Sequence, residues 1–285
     1  MGGSIDIAVA AARGLVFVAA LQAAGAAMFR AAIGPFPEPV DARLRRLIIR
    51  AALLAIVAVV VRSVLEPARM AGAMSGVADP FLRSLFLQSD TAVAQALRLI
   101  GAGILLAATL PRRPARRIGQ WIGSGLIVAS FVVMGHTRAH AGALLLGSLL
   151  LVHVGAAAFW FGALWPLLIV LRHAAVEQSA LLLGAFSTVA VRAVPVLFAA
   201  GVILAGFLIG SVDGLTTPYA RLLMIKHVLF VLLLGLAAAN RYRWVLRLAT
   251  DGHAEPLRRS IAAELVLMFG VLGATAVMTT LYSPE

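Results

Sequence analysis

Long apolar runs separated by short polar breaks dominate the chain from end to end. They cover residues 5–32, 44–65, 91–110, 118–134, 143–171, 186–210, 221–240 and 261–281. About 20 apolar residues are needed for a helix to cross roughly 30 Å of hydrocarbon, so the pattern predicts eight transmembrane helices. A strand barrel would show short alternating runs. These runs are continuous and rich in Ala, Leu and Gly, and their backbone groups must be satisfied within helices. The expected fold is therefore all-α, a polytopic membrane helical bundle forming one integral membrane domain over residues 1–285.

The breaks sharpen the picture. Arg13 lies within the first run and no cleavage site is recognisable, so that run is expected to be a retained helix and not a signal peptide. The longest break, residues 66–89, is punctuated by Pro67, Gly72, Gly76 and Pro80. Phe81, Leu82, Leu85 and Phe86 recur there at helical spacing, which predicts a short interfacial helix on the outer surface. Met70 and Met74, four apart, would share a face if that stretch were helical. Gly119 with Gly123, and Gly206 with Gly210, have the spacing that lets membrane helices approach closely.

Composition agrees: 62% of the 285 residues are hydrophobic, 13% are charged and the mean hydropathy is +0.99. A net charge of +12 raises nucleic acid as a partner, but the placement of the charge points elsewhere. Arg43, Arg45 and Arg46 follow the first run. Arg112, Arg113, Arg116 and Arg117 follow the third, and Arg241, Arg243, Arg247, Arg258 and Arg259 follow the seventh. Basic residues on alternate loops set these loops, with the turn at 172–178, in the cytoplasm, and both termini on the periplasmic side. Lipid, not nucleic acid, is the expected surroundings. The absence of cysteine excludes thiolate metal sites and redox dithiols. No phosphate-binding Gly-Lys motif supports ATP-driven pumping. No nucleophile is paired with a base and its orienting acid, so the chain is not expected to be an enzyme.

Ionisable groups inside a bilayer are costly, and each one is a candidate for function. Met134, His136 and His140 fall where the fourth run ends. His153 lies about 15 Å into the fifth helix and His227 roughly 9 Å into the seventh, at 1.5 Å per residue. This predicts a graded set of ligands facing one compartment: Met134, His136 and His140 at the rim, His227 below, His153 deepest. Imidazole and thioether suit copper, with thioether favouring the cuprous state. A lone buried histidine also commonly just bonds a backbone carbonyl. Lys226 adjoins His227 but points about 100° away, and pairing with Asp213 or snorkelling is its simpler use. Glu264 is expected to pair with Arg258 or Arg259, with a role as inner exit ligand as the alternative.

The runs GHTRAH, LVHVGAAAFWFGALWPL (151–167), AFSTVAVRAVPVLFAAG (185–201) and ARLLMIKHVLFVLLLGLAAANRYRW (220–244) resemble the CopD copper resistance family. RRSIAAELVL and TTLYSPE are similar to its last helix. The motifs lie in residues 136–285, with His136, His153 and Lys226 at family-like positions. Ala163 and Ala220 stand where that family often has Gly. The resemblance implies a bacterial inner-membrane protein that passes copper, as Cu(I) or alternatively Cu(II), from the periplasm toward the cytoplasm. It also implies a separate periplasmic copper-binding partner of the CopC type.

Two other readings compete. His153 and His227 on different helices could be axial ligands of a b-type haem in an electron-transfer protein. Alternatively, the chain is a non-transporting scaffold on which a copper chaperone docks.

Overall fold

A computed structural model of the protein describes residues 4–110, 115–133, 143–209 and 218–282. Ten α-helices follow one another in these segments: α1 Ser4–Ile33, α2 Glu38–Ala71, α3 Pro80–Leu87, α4 Asp90–Ala107, α5 Ala115–Val133, α6 Ala143–His173, α7 Val176–Ile209, α8 Pro218–Ala239, α9 Val245–Asp251 and α10 Glu255–Leu281. A 3₁₀ turn, Met74–Ala78, precedes α3, and a π-helical turn, Asn240–Trp244, joins α8 to α9. No strand occurs among the described residues.

Each of the eight apolar runs falls on a helix. Seven helices among the described residues, α1, α2, α4, α6, α7, α8 and α10, are long and apolar enough to span a membrane. The eighth run lies on α5, whose 19 residues begin with Arg116, Arg117 and Gln120, and these polar positions lower its hydropathy. Several helices continue past the apolar run into polar ends. Thus α2 starts at Glu38, α7 at Val176 and α10 at Glu255.

The α1 helix lies at the centre, packed on α2, α4, α5, α6 and α10. Its alanines Ala19, Ala20, Ala23, Ala24 and Ala27 are buried against Ala51, Ala52 and Ala55 of α2 and Ala102 of α4. Small side chains let backbones approach where lipid supplies no hydrophobic drive. The closest crossing is between α1 and α6. A Cβ on Gly25 would lie 1.8 Å from the Ala158 carbonyl oxygen, and one on Gly162 would lie 2.4 Å from Gly25 Cα. Gln22 Nε2 donates to the Gly162 carbonyl at 3.1 Å across the same crossing.

Charges within the bundle find partners. Arg30, at the end of α1, donates through Nε and Nη2 to both carboxylate oxygens of Asp41 on α2, at 2.7 and 2.6 Å. Near the other end of α1, Arg13 donates to the Thr279 carbonyl and to Thr280 Oγ1 of α10. The first and last helices are therefore joined through Arg13. Arg98 donates to Ser130 Oγ and Gln95 Oε1 and lies 4.6 Å over the Phe131 ring. Arg192 is on an exposed face of α7. Outward faces of α2, α7 and α8 expose Val57, Val64, Phe198, Val228 and Val231, as a surface solvated by lipid requires.

Three local expectations are revised. The α2 helix stops at Ala71 on Gly72, whose φ of +68° closes it in the left-handed conformation. Met70 lies in the last turn of α2 and Met74 starts the next element, so they do not share a helical face. Gly119 and Gly123 pack on α4, where added Cβ atoms would meet Ala108 Cβ at 2.9 Å and the Gly101 carbonyl at 2.8 Å, but Gly206 faces open space. Gly210 lies outside the described residues. Glu264 does not pair with Arg258 or Arg259, which both bind Glu255 within the first turns of α10.

Candidate functional site

Helices α6, α7, α8 and α10 enclose two cavities stacked along their length. The first, about 250 Å³, lies toward the end where Arg13 of α1 meets Thr279 and Thr280 of α10; Arg43, Arg45, Arg46, Arg116, Arg172 and Arg241 mark the opposite, basic end. It is lined by His153 of α6, Gly201 of α7, Lys226 and His227 of α8, and Met268 and Met278 of α10. His153 and His227, which belong to different helices, line this same cavity.

Both rings are held in the same way. His153 Nδ1 lies 3.0 Å from the Leu197 carbonyl on α7, and His227 Nδ1 lies 2.7 Å from the Leu223 carbonyl one turn earlier on its own helix. A carbonyl only accepts, so each Nδ1 carries the proton and each Nε2 keeps its lone pair for a ligand. Gly201 makes room for His153: a Cβ there would meet His153 Cε1 at 2.9 Å. The carbonyl bonds foreseen as the plain alternative to metal ligation are therefore present, yet they leave one nitrogen of each ring free.

Other predicted residues fare differently. Met134, His136 and His140 lie outside the described residues, as does Asp213. Lys226, expected to point elsewhere, lines the cavity with His227. Met224, three residues before His227 on a neighbouring face of α8, is exposed and does not line the cavity. Met268 and Met278 were not singled out from the sequence. They are buried, and they share a stripe with Val271 and Thr275 at positions i, i+3, i+7 and i+10 of α10. That spacing was the available signal. Among the described residues, no three His, Asp or Glu side chains gather as a metal site. Any soft-metal site here must combine imidazole with thioether.

The second cavity, about 330 Å³, lies on the basic side and is lined by Trp160, Ser187, Asn240, Arg241, Tyr242 and Glu264 among apolar residues. Glu264 is buried, and it accepts hydrogen bonds from Trp160 Nε1 at 3.2 Å and Asn240 Nδ2 at 2.5 Å. Aromatic rings separate the two cavities. Phe230 lines the first and Trp160 the second, and their centroids are 6.0 Å apart in an edge-to-face contact. Phe198 stacks on Phe230 at 5.7 Å.

This is a polytopic helical membrane protein with an imidazole and thioether cavity buried in its C-terminal helices. The family model described as Copper resistance protein D-like, N-terminal domain, matches residues 4–147, and the one described as Copper resistance protein D matches residues 180–278. Copper resistance protein D of Pseudomonas syringae pv. tomato is 31% identical over 248 residues, covering 78% of this chain and 80% of that protein. The chain belongs to the copper resistance protein D family, and its function is related to copper at a membrane. No solved structure matches it.

Proposed function

We propose that this chain carries copper across the bacterial inner membrane, from the periplasm toward the cytoplasm, through the four-helix unit α6, α7, α8 and α10. The observation that carries the reading is the convergence of His153 and His227 on one cavity, each with Nε2 free, beside Met268 and Met278. Two imidazoles and two thioethers form a neutral, soft donor set suited to cuprous copper. Met134, His136 and His140, in the segment that leads into α6, are assigned to capture the ion from a periplasmic CopC-like donor. With the basic loops cytoplasmic, both termini and the histidine cavity face the periplasmic side.

Titration of the purified full chain with copper(I), against a competing chelator, tests the site. His153→Ala and His227→Ala should each weaken binding at least about tenfold, ~1.4 kcal/mol, and abolish copper uptake by reconstituted vesicles. Wild-type affinity in both variants would remove these residues from the site. A Soret band lost in His153→Ala would make this a haem protein, and binding without uptake would make it a docking scaffold.

A further inference from the structure

Glu264 has no place in the copper site, and its surroundings are unusual for a buried carboxyl group. Among the described residues no arginine, lysine or histidine forms an ion pair with it. The groups around it can be enumerated by element. From α6 comes the Trp160 N–H, and from the π-helical turn the Asn240 amide. Arg241 lines the same cavity, but its guanidinium is turned to α7, where Nη1 donates to Ser187 Oγ at 2.6 Å and to its carbonyl at 3.0 Å. On α10 itself, Arg258 and Arg259 are bound to Glu255. On α1, Arg30 is bound to Asp41 and Arg13 to α10 near its end. His153, Lys226 and His227 belong to the cavity beyond the aromatic rings.

An ionised carboxylate buried without a cation is expensive in a membrane. Among the described residues, the side chains bonded to it are Trp160, which has no oxygen, and Asn240, whose Oδ1 is buried and has no partner. Calcium needs six to eight oxygen ligands and magnesium a near-octahedral set; a proton needs one. Asn240 suits both states of an acid, because an amide both donates and accepts. Its Nδ2 donates to the carboxylate, and a half-turn of the amide presents Oδ1 to the O–H of the protonated acid. The turn carrying Asn240 is π-helical, a local irregularity frequent at functional sites. The adjoining cavity is lined by Arg241 and exposed Tyr242, both next to the basic end of the bundle.

We infer that Glu264 is a proton-binding site served from the basic end through the second cavity, and that Trp160 communicates its protonation to the aromatic partition. The proton enters from water at that end, binds one carboxylate oxygen and leaves by the same cavity. Gaining it removes the charge that Trp160 Nε1 donates to, which weakens the bond holding this ring against Phe230. Proton occupancy thereby sets how firmly the two cavities are separated. The consequence for copper, that its passage depends on this occupancy, rests on the function proposed above.

Infrared difference spectra of the metal-free full chain across pH test the site itself. A carboxylic acid C=O band should appear as pH falls, vanish in Glu264→Gln and shift in Trp160→Phe and Asn240→Leu. A spectrum with no band dependent on Glu264 overturns the proposal. If Glu264→Gln does not accumulate, an unshifted band in both other variants overturns it equally. Reconstituted vesicles test the coupling: the pH profile of copper(I) uptake should differ between wild type and Glu264→Gln, whose copper affinity in detergent should equal wild type. Identical pH profiles of uptake overturn the coupling. Absence of copper binding by the wild-type chain overturns the copper reading, while the metal-free spectrum still decides the proton site.

Discussion

The freedom of His153 depends on an atom that Gly201 lacks. A methyl at this position would contact the ring at Cε1 and Nδ1, at 2.9 and 3.2 Å, tilting the imidazole off the Leu197 carbonyl. Gly201→Ala should therefore lower copper(I) affinity about tenfold, ~1.4 kcal/mol, with an unchanged circular dichroism spectrum. Copper binding to both histidines should also weaken as pH falls, because a proton and the metal compete for the same Nε2 lone pair. A pH-independent copper titration would exclude imidazole ligation. His153 and His227 could be picked from sequence because an imidazole in an apolar run needs a reason. Met268 and Met278 carry only the weaker signal of helical spacing, because a thioether in such a run reads as ordinary core. Only the neighbours brought by α6, α7 and α8 show that these two face a cavity.

At the scale of the helices, the α1–α6 crossing tolerates the least change. A side chain at Gly25 would run into the backbone of α6, so Gly25→Val should cost more than the ~1–3 kcal/mol typical of over-packing. Gly206→Ala meets nothing within 4 Å and should leave stability unchanged or raise it by ~0.5–1 kcal/mol, as expected for Gly to Ala in a helix. Thermal unfolding in detergent compares them directly. The turn between α1 and α2 is fixed by the two short bonds from Arg30 to Asp41, and the Arg30 side chain is only 2% exposed. Asp41→Asn leaves that guanidinium short of a counter-charge and should cost ~3–5 kcal/mol. Hydropathy located every apolar run, but it stopped short at α2, α7 and α10. It measures the length that lipid must cover, whereas helices continue into water on Glu and Arg pairs such as those of Glu255. The Gly25 and Gly162 contact was also illegible, since each glycine lies in a different helix and neither forms a pair with a second glycine four residues away.

At the scale of the whole molecule, the fold class follows from hydropathy, while the stacking of two cavities required knowing which helices are neighbours. Orientation can be measured on this chain without first removing native thiols, because it contains no cysteine. Ser75, exposed between α2 and α3, and Arg46, exposed near the start of α2, lie at opposite ends of the bundle. A membrane-impermeant maleimide should label Ser75→Cys on intact spheroplasts and Arg46→Cys only after permeabilisation. The reverse order would invert the proposed direction of copper movement. The bond from Arg13 to the end of α10 has its own consequence at this scale. The first helix is held against the end of α10, the helix that supplies Met278 to the histidine cavity. A metal-delivering domain tethered to either terminus would thus be confined near the same opening, at the millimolar effective concentration that a short flexible linker provides, and could hand over its ion without first having to find the protein by diffusion.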